Sequence, residues 1–290
     1  MKLNASELVL NKDKSIYHLN LLPEELAQTV ITVGDPDRVP LVSQYFDSIE
    51  VKKSKREFHT HTGRIGKKRI TVLSTGIGTD NIDIVLNELD ALVNIDFDTR
   101  EIKEHTTKLN IIRIGTSGSI QPHIPIHSYL ISEYAIGLDS LLHFYDSQHV
   151  QHSDIQQAFL SHMDWLKDKS TPYVVRCDNN LAEKFSSEEM IPGFTATNVG
   201  FYGPQGRKLR LPLQDSFMND KLASFNYQGM QITNLEMETA GIYGLAKLLG
   251  HRAVSLNCIL ANRSTGVFST EPEKATQGLI SYALERIVQI

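Results

Sequence analysis

The chain has 290 residues, enough for one large α/β domain or two ordinary ones, and its 41% hydrophobic and 22% charged residues are the balance of a globular protein with a sizeable core. A formal net charge of -5 gives no basic footprint, which argues against nucleic acid as a partner. No apolar run reaches membrane-spanning length, the first residues lack a long apolar segment, and Cys177 and Cys258 have no metal-ligand spacing, so we expect a cytoplasmic protein with two core thiols and no membrane partner.

Thr29 to Val33 is β-branched and runs into Gly34-Asp35-Pro36-Asp37-Arg38, a turn cluster that opens a helix through Leu41 and Phe46. Arg69 to Leu73 is a second strand, ending in Ser74-Thr75-Gly76-Ile77-Gly78; Ile82, Val85, Leu86, Leu89 and Leu92 then recur at helical spacing. The apolar run around Ile111 to Ile114 is expected to break into a turn, Gly115-Thr116-Ser117-Gly118-Ser119, whose backbone donors and adjacent Arg113 suit an anion. An ordinary strand and turn, with Arg113 paired to a carboxylate, is the competing reading.

Tyr129–Ala135, Pro172–Val175, Gly193–Ala196, Ile232–Leu235 and Ala253–Leu260 are further strands. Thr270, Pro272 and Glu273 predict a capping-box start for a last helix that turns Leu279, Tyr282, Ala283 and Ile287 inward. The alternation predicts an α/β fold: a single domain, 1–290, with a central mixed, largely parallel twisted sheet flanked by helices. In such folds ligands gather at the carboxyl ends of strands. Residues 146–170 are expected to be an insertion, first polar and then helical with Leu160, Met163, Trp165 and Leu166; His149, His152 and His162 in it lack the spacing of a helix-borne metal site and are taken as surface residues.

Two further stretches carry chemistry. Phe201-Tyr202-Gly203-Pro204-Gln205-Gly206-Arg207 places an amide and a guanidinium two residues apart behind aromatic rings, a set able to read a flat heterocycle, or else a surface loop with a solvated arginine. Asn234-Leu235-Glu236-Met237-Glu238 puts two acids at the end of a buried strand, just before an apolar helix from Ala240 to Leu249. Such carboxylates either accept sugar hydroxyls or simply complement a helix N-terminus.

Taken in order, Gly34-Asp35-Pro36-Asp37-Arg38, Arg56-Glu57-Phe58, Ser74-Thr75-Gly76-Ile77-Gly78, Arg113 to Gly118, Gln205-Gly206-Arg207 and Glu236-Met237-Glu238 resemble the nucleoside phosphorylase I family, and within it the uridine phosphorylases, over nearly the whole chain. The resemblance implies phosphate held by Gly34, Arg38, Arg113 and Thr116, with Arg56 reaching a neighbouring subunit's phosphate. It implies ribose held by Glu236, Met237 and Glu238, with His18 coming from the adjacent subunit, and a uracil site of Phe201, Gln205, Arg207 and Arg263. Arg113, Gln205, Arg207 and Glu238 would be catalytic. No cofactor is implied, phosphate being a co-substrate; a monovalent cation, potassium, matches Glu57 and Ser74. The partner is the chain itself, as a homodimer or hexamer with shared sites.

Asn262-Arg263-Ser264 lacks the aspartate that purine-specific relatives place near the base, which favours a pyrimidine. The alternatives are a purine phosphorylase, a nucleosidase of the same fold, for which three arginines would be superfluous, and a non-catalytic nucleoside sensor. Thr79-Asp80-Asn81, His127-Ser128 and Lys208-Leu209-Arg210 depart from the family pattern, which leaves the fine substrate preference open.

Overall fold

The structure, a computed structural model, describes residues 2–290. In chain order its elements are β1 (Thr29–Val33), α1 (Arg38–Ser43), β2 (Ser48–Lys55), β3 (Phe58–Ile65), β4 (Lys68–Ser74), α2 (Thr79–Asn94), the short β5 (Ile95–Asp96) and β6 (Glu101–Ile102), and β7 (Asn110–Ser119). There follow β8 (Tyr129–Gly137), α3 (Ser153–Met163), β9 (Tyr173–Arg176), α4 (Asn179–Glu183), β10 (Met190–Thr197), α5 (Met218–Ser224), β11 (Asn226–Tyr227), β12 (Met230–Glu236), α6 (Thr239–Leu248), β13 (Arg252–Asn262), β14 (Val267–Phe268) and α7 (Pro272–Ile287).

The expected α/β architecture with a mixed sheet is present. β4, β1, β7 and β13 run parallel, β8, β10 and β12 form a second parallel set, and β13 meets β8 antiparallel. The sheet also does something that alternation alone does not reveal. β12 returns to pair antiparallel with β7 at Gly118 and Ser119, so β7, β13, β8, β10 and β12 close into a ring. Closing a sheet satisfies edges that would otherwise stay unpaired.

Residues 115–119 are not a turn, contrary to expectation: β7 runs through them to Ser119. They have strand partners, since β13 goes on pairing to Asn262 on one side, with a one-residue register shift between Ile259 and Ala261, and β12 arrives on the other. Glycine is needed at 115 for a different reason. A Cβ there would lie 1.8 Å from Nη1 of Arg113, whose side chain folds over the glycine two residues on, along the same face of the strand.

The helices cover the sheet as their patterning dictates. Ile82, Val85, Leu86, Leu89 and Leu92 of α2 are all fully buried; each is worth roughly 1.5–3 kcal/mol of transfer free energy. The inward face of α7 is as expected, but its capping box is absent: Glu271 is the N-cap, makes no side-chain cap, and gives its N–H to Ser269 Oγ. The predicted first helix is shorter, ending at Ser43, and the polar hairpin β2–β3 has too little apolar alternation to be legible. In residues 146–170, α3 stops at Asp164 in the left-handed region, leaving Trp165 and Leu166 beyond its end. Ile155, Phe159 and Met163 of α3 join Phe194, Phe225 and Ile232 in one apolar cluster, while His149 and His162 are exposed and His152 half-buried.

Candidate active site

The site lies where one edge of β7 changes partners. β1 pairs with β7 only as far as Arg113, and β12 takes over at Gly118. Between these points the edge is open, and a cavity of about 690 Å³ fills the opening, a volume in the range of small-molecule sites. It lies at the carboxyl ends of β1, β4 and β7, where the sequence places its glycine-bearing turns. Gly34, Arg38, Glu57, Gly76, Arg113, Thr116, Phe201, Gln205, Arg207, Glu236, Met237 and Glu238 all line it.

At one end two guanidiniums converge. Arg38 is the first residue of α1; among the described residues its side chain makes one hydrogen bond, a long one of 3.4 Å from Nη1 to the Ile114 carbonyl on the open edge, and has no carboxylate partner. Burial, and then the charge of Arg113, weaken its hold on its proton. An arginine in this state is poised for an anion. Arg113 is compensated instead: Nη2 lies 2.6 Å from Glu238 Oε2 and 3.1 Å from Glu236 Oε2, and Nη1 donates to Asn257 Oδ1 at 2.9 Å. Burial opposes the Arg113 charge, but the two carboxylates outweigh it and strengthen its hold on the proton.

The two acids divide the work. Glu236 Oε1 accepts from Thr197 Oγ1, and Oε2 accepts from the Glu238 and Thr239 N–H groups and from Thr239 Oγ1. It therefore caps the N-terminus of α6 and has little capacity left for a ligand. Glu238 accepts from the Gly78 N–H and from Arg113, one bond on each oxygen, so it retains lone pairs toward the cavity. Burial, with Glu236 alongside, raises its pKa above the ordinary value although Arg113 pulls the other way.

At the opposite end Gln205 is buried on a short 3-10 turn, Gly203–Gln205. Arg207 donates from Nη1 to Gln205 Oε1 and to the Phe201 carbonyl, both at 2.6 Å, and its guanidinium lies 3.7 Å over the Phe201 ring. The arginine is thus ordered, and among the described residues the Gln205 amide nitrogen is left without an acceptor. Arg263 braces the loop from behind, donating to the Gln205 and Gly206 carbonyls, and does not line the cavity.

His18 and Arg56 stand apart. His18 Nδ1 lies 2.6 Å from Glu88 Oε1, its ring packs edge-on to Phe58 at 6.3 Å, and neither His18 nor Arg56 lines the cavity of its own chain. Arg56 is exposed at the tip of the β2–β3 hairpin with φ of 55°, a left-handed backbone uncommon outside glycine. Its neighbour Glu57 does line the cavity and accepts from Asn81 Nδ2 at 3.1 Å. Ser74 Oγ is spent on the Glu57 carbonyl and the His59 N–H. Within one chain Glu57 and Ser74 therefore form no oxygen cage for a cation, and no group of three or more His, Cys, Asp or Glu among the described residues is placed to hold a metal.

Sequence reasoning passed over Ser117, Asn81 and Asn257. Ser117 shares the strand parity of Arg113, and Asn257 stands two residues after Ser255 in the middle of a largely apolar strand. Both signals are visible in hindsight.

A fold split over a cavity with cations at one end, an acid between and an amide at the other defines a class. Residues 28–288 match the phosphorylase superfamily, and the chain belongs to that family. It is 29% identical over 273 residues to a uridine phosphorylase of Thermococcus kodakarensis, covering 94% of this chain and 87% of that one. It is 27% identical to the uridine phosphorylase of Escherichia coli, covering 94% and 96%. Among solved structures, a Trypanosoma brucei nucleoside phosphorylase, described as showing uridine phosphorylase activity, superposes with a TM-score of 0.86 at 30% identity, covering 98% of this chain and 100% of that one.

Proposed function

We propose that this chain is a pentosyltransferase, a uridine phosphorylase of the cytoplasm that reversibly converts uridine and phosphate to uracil and ribose 1-phosphate. One observation carries the reading: a cavity that holds an uncompensated guanidinium, Arg38, at one end, and an ordered amide–guanidinium pair, Gln205 and Arg207, at the other, with Glu238 between them. Those three features match an anion, a heterocycle edge and a sugar diol in the order in which a nucleoside and phosphate would lie. The names of the relatives support the same reading.

In this reaction a phosphate oxygen forms a bond to C1′ of the ribose while the C1′–N1 bond breaks, and its electron pair departs on the uracil ring, which takes a proton from solvent. Arg38, Thr116 and the Gly34 backbone hold the phosphate, with Arg113 behind them and Arg56 supplied by a second copy of the chain. Their contribution is largely positional. Glu238 accepts the ribose hydroxyls beside Met237, the partner copy's His18 meets the 5′ end, and Gln205 and Arg207 stabilise the charge that grows on the base against Phe201. No cofactor enters any step. A potassium ion at Glu57 would require oxygens from the second copy.

Asn262 favours a pyrimidine over a purine. Its amide nitrogen donates to the Gln121 and Ile124 carbonyls and its oxygen accepts the Ser264 and Thr265 N–H groups, so no acid stands there to protonate a purine. The test is uracil release from uridine with and without phosphate, with inosine alongside. Phosphate-dependent release that yields ribose 1-phosphate, with inosine inert, is the expected result; release that ignores phosphate would establish a hydrolase instead.

A further inference from the structure

A chain of hydrogen bonds runs once around the closed ring of strands, one residue from each, and returns to the strand on which it began. Arg113 on β7 donates to Asn257 Oδ1 on β13 at 2.9 Å, and Asn257 Nδ2 donates to Ser132 Oγ on β8 at 3.1 Å. Ser132 Oγ lies 2.6 Å from Thr195 Oγ1 on β10, Thr195 donates to Asn234 Oδ1 on β12 at 2.9 Å, and Asn234 Nδ2 donates to Ser117 Oγ on β7 at 2.9 Å. Asn257, Ser132, Thr195 and Asn234 are wholly inaccessible to solvent.

The direction of this chain is fixed by its first member. A guanidinium has donors only, so Asn257 must turn its oxygen to Arg113 and its nitrogen to Ser132. Ser132 then donates to Thr195, Thr195 to Asn234, and Asn234 to Ser117. Reversing the Asn234 amide would make Thr195 an acceptor from Asn234 and leave either the Ser132 or the Thr195 proton with no acceptor in the interior, which the buried site disfavours. In the direction that satisfies every interior proton, Ser117 is an acceptor within the protein. Among the described residues its own hydrogen has no partner, and Ser117 lines the cavity.

We infer that the Ser117 hydroxyl is a catalytic hydrogen-bond donor to the departing base, aimed by this directed chain, with Asn234 and Asn257 as positioning residues. At about 3.3 Å per residue Ser117 lies roughly 13 Å along the strand from Arg113; a Cβ on the next residue, Gly118, would lie 3.5 Å from Arg263 Cγ, and Arg263 donates to the Gln205 carbonyl, so Ser117 stands toward the end of the cavity that holds Gln205 and Phe201. A base carbonyl there gains charge as the C1′–N1 bond breaks, and a donor fixed in advance costs no reorganisation at that moment. Ser117 lends a hydrogen bond and keeps its proton, so the balance of the reaction is unchanged. The inference rests on the phosphorylase reading.

The test compares S117A and S117T with wild type on uridine and on 5-fluorouridine, whose base leaves more readily. S117A should lower kcat for uridine roughly 100- to 1000-fold, lower it less for 5-fluorouridine, and leave the phosphate KM unchanged, while S117T restores the rate. N234A, which keeps the hydroxyl but removes its orienting donor, should show a smaller loss with the same dependence on leaving group. If S117A does not fold, S117C, which has nearly the shape of serine and a weak donor, gives the same comparison. An active wild type with S117A at full rate, or with equal losses on both substrates, overturns the inference alone. A wild type that leaves uridine intact overturns the phosphorylase reading, and the inference with it.

Discussion

Arg113 Nη2 and Glu238 Oε2 are 2.6 Å apart in the floor of the cavity, with both residues more than nine-tenths buried and Glu236 sharing the same guanidinium nitrogen. Removing the cation strands two carboxylates in the interior, and breaking a buried pair in this way costs about 3–5 kcal/mol. R113M is therefore expected to lose activity and stability together in denaturant melts. Its deficit should shrink on acidification, because Glu238, whose carboxyl burial already raises, then binds a proton more tightly in the folded chain than in the unfolded one, and the folded state gains stability as pH falls. E238Q removes one of two counter-ions and should destabilise far less.

Arg38 predicts the opposite pairing of effects. It has no carboxylate partner, and burial and the neighbouring Arg113 already disfavour its charge, so R38M should leave folding stability unchanged or slightly raised. What it should lose is the response to phosphate. Phosphate at a hundred times its Kd stabilises a protein that binds it by about 2.7 kcal/mol, and thermal melts with and without phosphate should show that shift in the wild type and its absence in R38M. A full shift in R38M would remove Arg38 from the phosphate site.

Glu238 carries a pH signature. Burial holds its carboxyl above the ordinary glutamate value of about 4.3, so between that value and the folded pKa the folded chain binds the extra proton, and this group's contribution to stability falls as pH rises through that window. Binding runs the other way, because only the carboxylate accepts two ribose hydroxyls. Uridine affinity, measured by calorimetry without phosphate so that phosphate ionisation plays no part, should fall on acidification with a midpoint above 4.3. A midpoint at or below the ordinary value would place the ribose elsewhere.

What was legible in the sequence was the order of the strands and the residues at their ends, because β-branched runs and glycine-bearing turns are local signals. Gly34, Arg38, Glu238, Gln205 and Arg207 could be found that way, and all of them line one cavity. The return of β12 to β7 was not legible, since pairing between residues more than a hundred positions apart leaves no local pattern. Together with the pairing of β13 along residues 115–119, that return made strand of a predicted glycine turn. It also created the ring in which Ser132, Thr195 and Asn257 satisfy one another; in sequence they are isolated polar residues in apolar strands. The missing capping box at Pro272 has a simpler cause, because Ser269 rather than Thr270 supplies the acceptor.

His18 and Arg56 lie off the cavity of their own chain, His18 packing against Phe58 near the hairpin tip that carries Arg56. If each completes a second copy's site, activity should be recoverable by mixing two inactive variants. R56A keeps Arg38 and lacks the donated arginine, whereas R38A keeps the donated arginine and lacks its own. In a two-fold hybrid, the R56A subunit's site receives Arg56 from its R38A partner and is whole, and the other site lacks both arginines. Half the dimers are hybrid after random exchange and half the sites in each hybrid are intact, so the mixture should recover about one quarter of wild-type activity. A mixture as inactive as its components, after exchange has been verified by mass, would mean that Arg56 does not serve a neighbouring site, as would an active monomer in sedimentation.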